Sequence, residues 1–91
     1  MIKMITVTEN AKKELKEILV AAHAEPDEGL RLFPTESDRY ILSLDTEMSA
    51  DQVVDYDGYK VLLVGIEYFR LLDGKILDCS NTENGITLYV Q

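Results

Sequence analysis

The 91-residue sequence contains one cysteine and one histidine, so soft-metal and nucleophilic chemistry can rest only on Cys79 and His23. Cys79 lies between Asp78 and Ser80, with no neighbouring Lys, Arg or His to lower its pKa and expose a thiolate. It reads as a buried or half-buried structural thiol. A single thiol forms no internal disulfide and cannot by itself build a four-ligand zinc site. An iron-sulfur cluster, which takes several sulfur ligands, would need a second protomer to bring another thiolate alongside. His23 falls in the last turn of the first expected helix, where an imidazolium would meet the negative end of the dipole. A helix-end role is therefore expected for it, rather than that of a ligand or base.

Hard-cation chemistry would draw on Asp45, Glu47, Asp51, Asp55 and Asp57, whose oxygens suit Ca2+ or Fe2+. They lack the loop spacing of an EF-hand, and such carboxylates on a hairpin are expected to form its solvated face or to protect a sheet edge. The five tyrosines, Tyr40, Tyr56, Tyr59, Tyr68 and Tyr89, can place aromatic bodies in the core and hydroxyls in water. A cluster of them at the surface would mark a partner interface, but most are expected in the core. No glycine-rich phosphate loop, Ser-His-Asp order, HExxH or CxxC occurs, and these are the patterns that would carry phosphate binding, acyl transfer or metal hydrolysis. No catalytic, cofactor-binding or metal residue is assigned, and an enzyme is not expected.

Composition narrows the partners. With 46% hydrophobic and 29% charged residues, the chain reads as a globule rather than a disordered segment, of a length suited to a single domain over residues 1–91. Nine Lys and Arg against 17 Asp and Glu give a net charge of −8, the wrong sign for a phosphate backbone, so nucleic acid is not an expected partner. Any basic patch is confined to the first helix, where Lys12, Lys13 and Lys16 fall. One cysteine fits a reducing cytoplasm. The run Met1 to Val7 is too short for a signal peptide, and no stretch approaches a membrane span, so a cytoplasmic protein without a membrane partner is expected.

The elements that must position these residues follow from periodicity. Met4 to Val7 reads as a short strand, and Thr8 can cap a helix with Glu9 in its first turn. Ala11, Leu15, Ile18, Leu19 and Ala22 form one helical stripe, and the opposite face offers Glu9–Lys13 and Lys13–Glu17 pairs. The helix should stop before Pro26. Beyond Gly29 the pattern turns strand-like: Leu30 to Phe33, the polar link Thr35 to Asp38, and Arg39 to Leu44 with Tyr40, Leu42 and Leu44 on one face. A polar stretch, Asp45 to Asp51, leads to Val53–Tyr56 and Tyr59–Val64, which flank Asp57-Gly58, a hairpin signal because both turn positions need positive φ. Ile66, Phe69 and Leu72 recur every three residues and predict a short second helix. Ile76 to Cys79 and Ile86 to Val90 are further strands, separated by the turn residues Asn84-Gly85. The fold class is mainly β (α+β), with one good helix.

The opening Met4-Ile5-Thr6-Val7-Thr8-Glu9-Asn10-Ala11, followed by Leu15-Lys16-Glu17-Ile18-Leu19, resembles the start of HesB/IscA-type iron-sulfur cluster biogenesis proteins. Gly29-Leu30-Arg31-Leu32 looks like that family's first strand after the helix, and Asp57-Gly58 with Val61 to Val64 looks like its central hairpin. Leu72-Asp73-Gly74-Lys75-Ile76-Leu77-Asp78 is similar to its leucine, glycine and isoleucine-aspartate signature. The resemblance implies a compact β-sandwich or pseudo-barrel with the amphipathic helix near its start, and cluster transfer or assembly through three cysteines.

Those cysteines are missing. The resemblance places one in a glycine-rich loop where this chain has Pro34-Thr35-Glu36-Ser37-Asp38, and two in a Cys-Gly-Cys tail where it has Ile86-Thr87-Leu88-Tyr89-Val90-Gln91. Cys79 occupies a position that the family usually gives to an aromatic or aliphatic strand residue, and inherits no ligand role. Iron-sulfide cores favour soft ligands over carboxylates. The expectation is a HesB-like domain, related to iron-sulfur assembly proteins but without their ligands, that acts by protein contact. Its expected partners are the assembly machinery or a second copy in a homodimer. The alternative is an iron or cluster carrier that uses Cys79 across an oligomer.

Overall fold

The computed structural model describes residues 4–35, 40–83 and 85–91. The expected link over Glu36 to Asp38, the strand start at Arg39 and the turn residue Asn84 lie outside these. Strand β1 is Thr6–Val7 and helix α1 Glu9–Ala21. Thr8 caps α1 from an extended backbone, its Oγ1 accepting from the Ala11 N–H at 3.2 Å, so one of the free donors of the first turn is satisfied as the sequence predicts. Ala11, Leu15 and Leu19 are essentially fully buried and Ile18 packs beside them. Ala22 drops out of the expected stripe because it is the exposed C-cap.

The helix ends earlier than Pro26 requires. His23 adopts φ 54°, its N–H donates to the Val20 carbonyl, and the Ala24 N–H donates to that of Leu19. This pair of bonds is a Schellman motif, usually built on glycine. His23 is thus a helix-end residue, through its backbone conformation.

Strands β2 (Glu28–Pro34), β3 (Tyr40–Thr46), β4 (Gln52–Tyr56) and β5 (Tyr59–Val64) form one sheet in the order β3-β2-β5-β4. Leu30 lies opposite Leu44 and Leu32 opposite Leu42, so the alternation read in the sequence sets the face of both strands. Asp57 and Gly58 both have positive φ, at 52° and 83°, and close the β4–β5 hairpin. The ladder between β2 and β5 is parallel and irregular between Gly29 and Arg31. A Cβ on Gly29 would stand 2.3 Å from the Lys60 carbonyl oxygen, so only glycine permits this approach.

A 3-10 turn, Ile66–Tyr68, runs into α2, Phe69–Leu72. Phe69 and Leu72 are buried, whereas Ile66 is exposed. Strands β6 (Ile76–Thr82) and β7 (Gly85–Val90) form the second sheet, in the order β1-β6-β7, with β1 parallel and β7 antiparallel to β6. Helix α1 contacts β5 and β2 of the larger sheet and β6 of the smaller, and the core joins Leu30, Leu32 and Val61 to Val7, Leu77 and the helix stripe. This is the expected α+β fold, two sheets with a helix against both, and the sheets stay open rather than closing into a barrel.

Candidate functional site

The acidic positions do not converge on a cation. Arg31 stands alone as a charge within the apolar strand Leu30–Phe33, on the face opposite Leu30 and Leu32, and its side chain is only 5% exposed. Its Nε donates to Asp45 Oδ2 at 2.6 Å, and its two terminal nitrogens donate to both oxygens of Asp51 at 3.0 and 2.7 Å. Nη2 also donates to the Thr46 carbonyl at 3.1 Å. Asp51 accepts the Met48 N–H at 2.7 Å, and Asp45 that of Thr46 at 2.8 Å. The guanidinium thus holds the Asp51 carboxylate in a bidentate pair of charge-assisted bonds. Hydrogen bonding from Arg31 holds both carboxyls below the ordinary aspartate range, and Asp51 with Asp45 holds the guanidinium the more firmly protonated.

Glu47 pairs with Lys60 at 3.2 Å and Asp57 with Lys16, while Asp55 is exposed on β4. Four of the five carboxylates weighed as hard-cation ligands are therefore paired with three basic side chains, Asp45 and Asp51 sharing Arg31. Asp45 and Asp51 are not the solvated face that the sequence suggests. They fix the segment between β3 and β4 to β2, and Asp51 is 3% exposed. Among the described residues, no three of His, Cys, Asp and Glu gather as a metal site would require.

Cys79 sits on β6, facing a cleft against α1 that Asn10, Lys13, Glu14, Glu17, Asn81 and Ile86 also line. Burial pushes the thiol up, and the charges of Asp78 and Glu14 act in the same direction. It is half-buried, and burial beside two carboxylates is the opposite of the environment that makes a nucleophile or a ready metal ligand; Lys13, which lines the same cleft, does not reverse the direction. Its neighbour Asp78 is a junction. Asp78 Oδ1 accepts from Thr8 Oγ1 at 2.7 Å and from the Cys79 N–H at 2.8 Å, and Oδ2 accepts from the Tyr89 hydroxyl at 3.4 Å. The helix cap, β6 and β7 are thereby tied at one carboxylate, held below its usual range chiefly by Thr8.

His23 is exposed and distant in sequence from these clusters. Of the tyrosines, Tyr40, Tyr56 and Tyr68 pack against the core, and Tyr68 meets Phe33 edge to face at 6.5 Å. Tyr59 and Tyr89 are each 37% exposed; Lys16 stands 5.5 Å from the Tyr59 ring. An apolar groove of about 360 Å³ opens between the sheets, lined by Leu32, Tyr40 and Leu42 on one side and Leu77, Leu88 and Val90 on the other. Sequence reasoning missed both the Arg31 cluster and this groove. Arg31 inside an apolar run was the available signal for the first, since a cation in a central strand must find anions. The groove arises from the spacing of two sheets, which no local pattern encodes.

The architecture is that of HesB/IscA-like proteins. The structure matches that of Escherichia coli SufA, a protein involved in biosynthesis of iron-sulfur clusters, with a TM-score of 0.78 at 22% identity over 100% of this chain and 87% of that one. It also matches IscA with its [2Fe-2S] cluster, with a TM-score of 0.67 at 17% identity over 97% of this chain and 84% of that one. A protein from Aquifex aeolicus, solved by NMR, gives 0.63 at 22% identity over 98% and 91% of the two chains. By sequence, the chain matches no protein-family model and no curated protein. The fold is therefore shared, whereas the donor set of a cluster is not: one thiol, raised in pKa beside two carboxylates, does not fit an iron-sulfide core that takes several thiolates.

Proposed function

We propose that this chain is a HesB/IscA-like domain that works in the cytoplasm by protein contact, in association with iron-sulfur cluster assembly and without binding a cluster or performing catalysis itself. Its partners are components of that machinery or a second copy of the chain. The observation that carries this reading is the combination of a SufA-like fold along the whole chain with a single half-buried thiol whose pKa is raised. Scaffold and cargo chemistry have separated, as folds and sites commonly do. The paired carboxylates support the same reading, because Asp45 and Asp51 share Arg31 while Glu47 and Asp57 hold Lys60 and Lys16.

Anaerobic incubation of the purified chain with ferrous iron and sulfide, followed by desalting, tests it. The expected result is a colourless protein with no iron retained, which nonetheless binds a cysteine desulfurase or a cluster-loaded scaffold in a titration followed by calorimetry. A stable visible chromophore that disappears in Cys79→Ser would instead establish the carrier reading, with Cys79 shared across an oligomer.

A further inference from the structure

We infer that the cleft between the β3–β4 connection and the 3-10 turn after β5 is where this chain meets a protein partner, and that it receives an arginine side chain flanked by apolar residues. This rests on the reading of protein contact and adds to it a surface and the chemistry that the surface takes. The cleft holds about 250 Å³, and its apolar walls are Phe33 from β2, Met48 from the connection and Ile66 from the turn. Ile41 lies opposite Phe33 in the ladder, so the two share a face of the sheet and Ile41 continues that wall. Ile66, Met48 and Ile41 are 60, 57 and 55% exposed. Single apolar residues at a surface are ordinary, but several around one cleft mark a contact.

Local structure holds these side chains in place. The Met48 N–H donates to Asp51 Oδ2 at 2.7 Å and the Asp51 N–H to the Met48 carbonyl at 3.2 Å, while Ala50 turns the chain with φ 69°. Beyond β5, the Tyr68 N–H donates to the Gly65 carbonyl at 3.0 Å, which closes the turn that carries Ile66. Both walls are formed before anything binds, and this lowers the cost of binding.

Charge selects the occupant. Arg31, Asp45, Asp51 and Glu67 all line the cleft, so one cation faces three carboxylates and a surplus of negative charge remains. Arg31 engages Asp45 and Asp51, whereas Glu67 has no ion-pair or hydrogen-bond partner among the described residues. A Cβ at Gly65 would stand 2.6 and 2.7 Å from the two Glu67 carboxylate oxygens, so this carboxylate lies back over the Gly65 backbone instead of extending into water. A hard cation, which takes about six oxygen ligands, finds only one free carboxylate here. An arginine fits better. Its methylene stem matches Met48 and Ile66, its fork matches Glu67, and its plane suits the Phe33 ring. Arginine anchors of this kind commonly dominate protein interfaces.

A blocked tripeptide, leucyl-arginyl-leucine with acetyl and amide ends, tests the inference when titrated to about 10 mM into isotope-labelled protein and followed by NMR. Saturable shifts should appear at the amides of Met48, Ser49, Gly65, Ile66 and Glu67, with a dissociation constant of about 1 mM. Replacing the arginine by citrulline, which keeps the shape and removes the charge, should weaken binding about tenfold. Glu67→Gln should have the same effect. So should Gly65→Ala, whose methyl group displaces the Glu67 carboxylate without changing the net charge; the φ of −69° at Gly65 suits alanine. Glu17→Gln on α1 removes an equal charge elsewhere and should leave the affinity unchanged. Absence of saturable shifts at these amides, or equal losses in Glu67→Gln and Glu17→Gln, overturns the inference, the second in favour of attraction by net charge alone. The variants also separate this inference from the functional reading. An assembly protein that binds the wild type and Glu67→Gln alike overturns the cleft and leaves protein contact standing, whereas a peptide that binds where no assembly protein does keeps the cleft and removes the role in assembly.

Discussion

Arg31 is the residue on which charge and burial are most tightly bound together. Removing it as Arg31→Met keeps much of the stem volume but leaves Asp51, 3% exposed, without its bidentate partner. Breaking a buried pair on one side costs about 3–5 kcal/mol, a large share of a small domain's stability. The loss should depend on pH with a definite sign. Asp51 and Asp45 are held below the ordinary 3.8 in the folded chain, so their contribution is complete above that value and disappears as pH falls through their lower folded values. Urea unfolding should therefore show the full difference between wild type and Arg31→Met at pH 7 and 5, and a shrinking one below about pH 4. A difference that is constant across this range would mean that packing of the arginine stem, not the ion pair, carries the effect. This cluster was only half legible beforehand. The acids were visible as a polar stretch, but which of them turn inward depends on the return of the chain after β3, and no spacing rule specifies that. Cys79 was easier to read, because its setting is local: a strand position beside an aspartate leaves the thiol without a cation in sequence, and the structure adds burial and Glu14 to the same effect.

Elements were most readable where one local rule decides them. The stripe Ala11, Leu15, Leu19, the Thr8 cap and the Asp57-Gly58 hairpin stand where periodicity and turn chemistry place them. Boundaries were less legible, because strands lengthen when a neighbour supplies ladder partners. Thr46 extends β3 by pairing with Glu28, and Thr82 extends β6 by pairing with Gly85. The end of α1 is the clearest difference. Proline predicts a stop by Glu25, yet the Schellman motif closes the helix on His23, a residue that gives no glycine-like signal. A non-glycine residue in the left-handed region costs about 1–2 kcal/mol, while glycine adds about 0.4–1 kcal/mol of unfolded-state entropy to be lost. His23→Gly should therefore raise stability by about 0.5–1 kcal/mol, measured as a higher urea midpoint with an unchanged slope. Thermal melts should show the same order. A lower midpoint would mean that the exposed imidazole makes a favourable contact with the helix end that outweighs the backbone strain, the role the sequence first suggests for it.

At the scale of the whole molecule, the frame shared with SufA at 22% identity is held by apolar layers, whereas the surface has an excess of negative charge that those layers must tolerate. The chain measures 35 × 30 × 23 Å. Near 10 mM salt the screening length is about 30 Å, so almost every charge acts on every other; at 150 mM it is about 8 Å, and only neighbours interact. With a net charge of −8, the long-range sum is repulsive and stronger in the compact state than in the expanded one. Exposed pairs such as Lys12–Glu9 and Lys60–Glu47 pull the other way, but each is worth about 0–1 kcal/mol, and the buried bond of Arg31 to Asp51 is little screened. Raising NaCl from about 10 to 150 mM at pH 7 should therefore increase the melting temperature, by about 4–8 °C for each kcal/mol of repulsion removed. The sign can be checked internally. As pH approaches the isoelectric point near 4.4, the net charge vanishes and the salt effect should fade with it. A melting temperature that falls with salt at pH 7 would show that the surface ion pairs, rather than the overall charge, set the electrostatic balance of this fold.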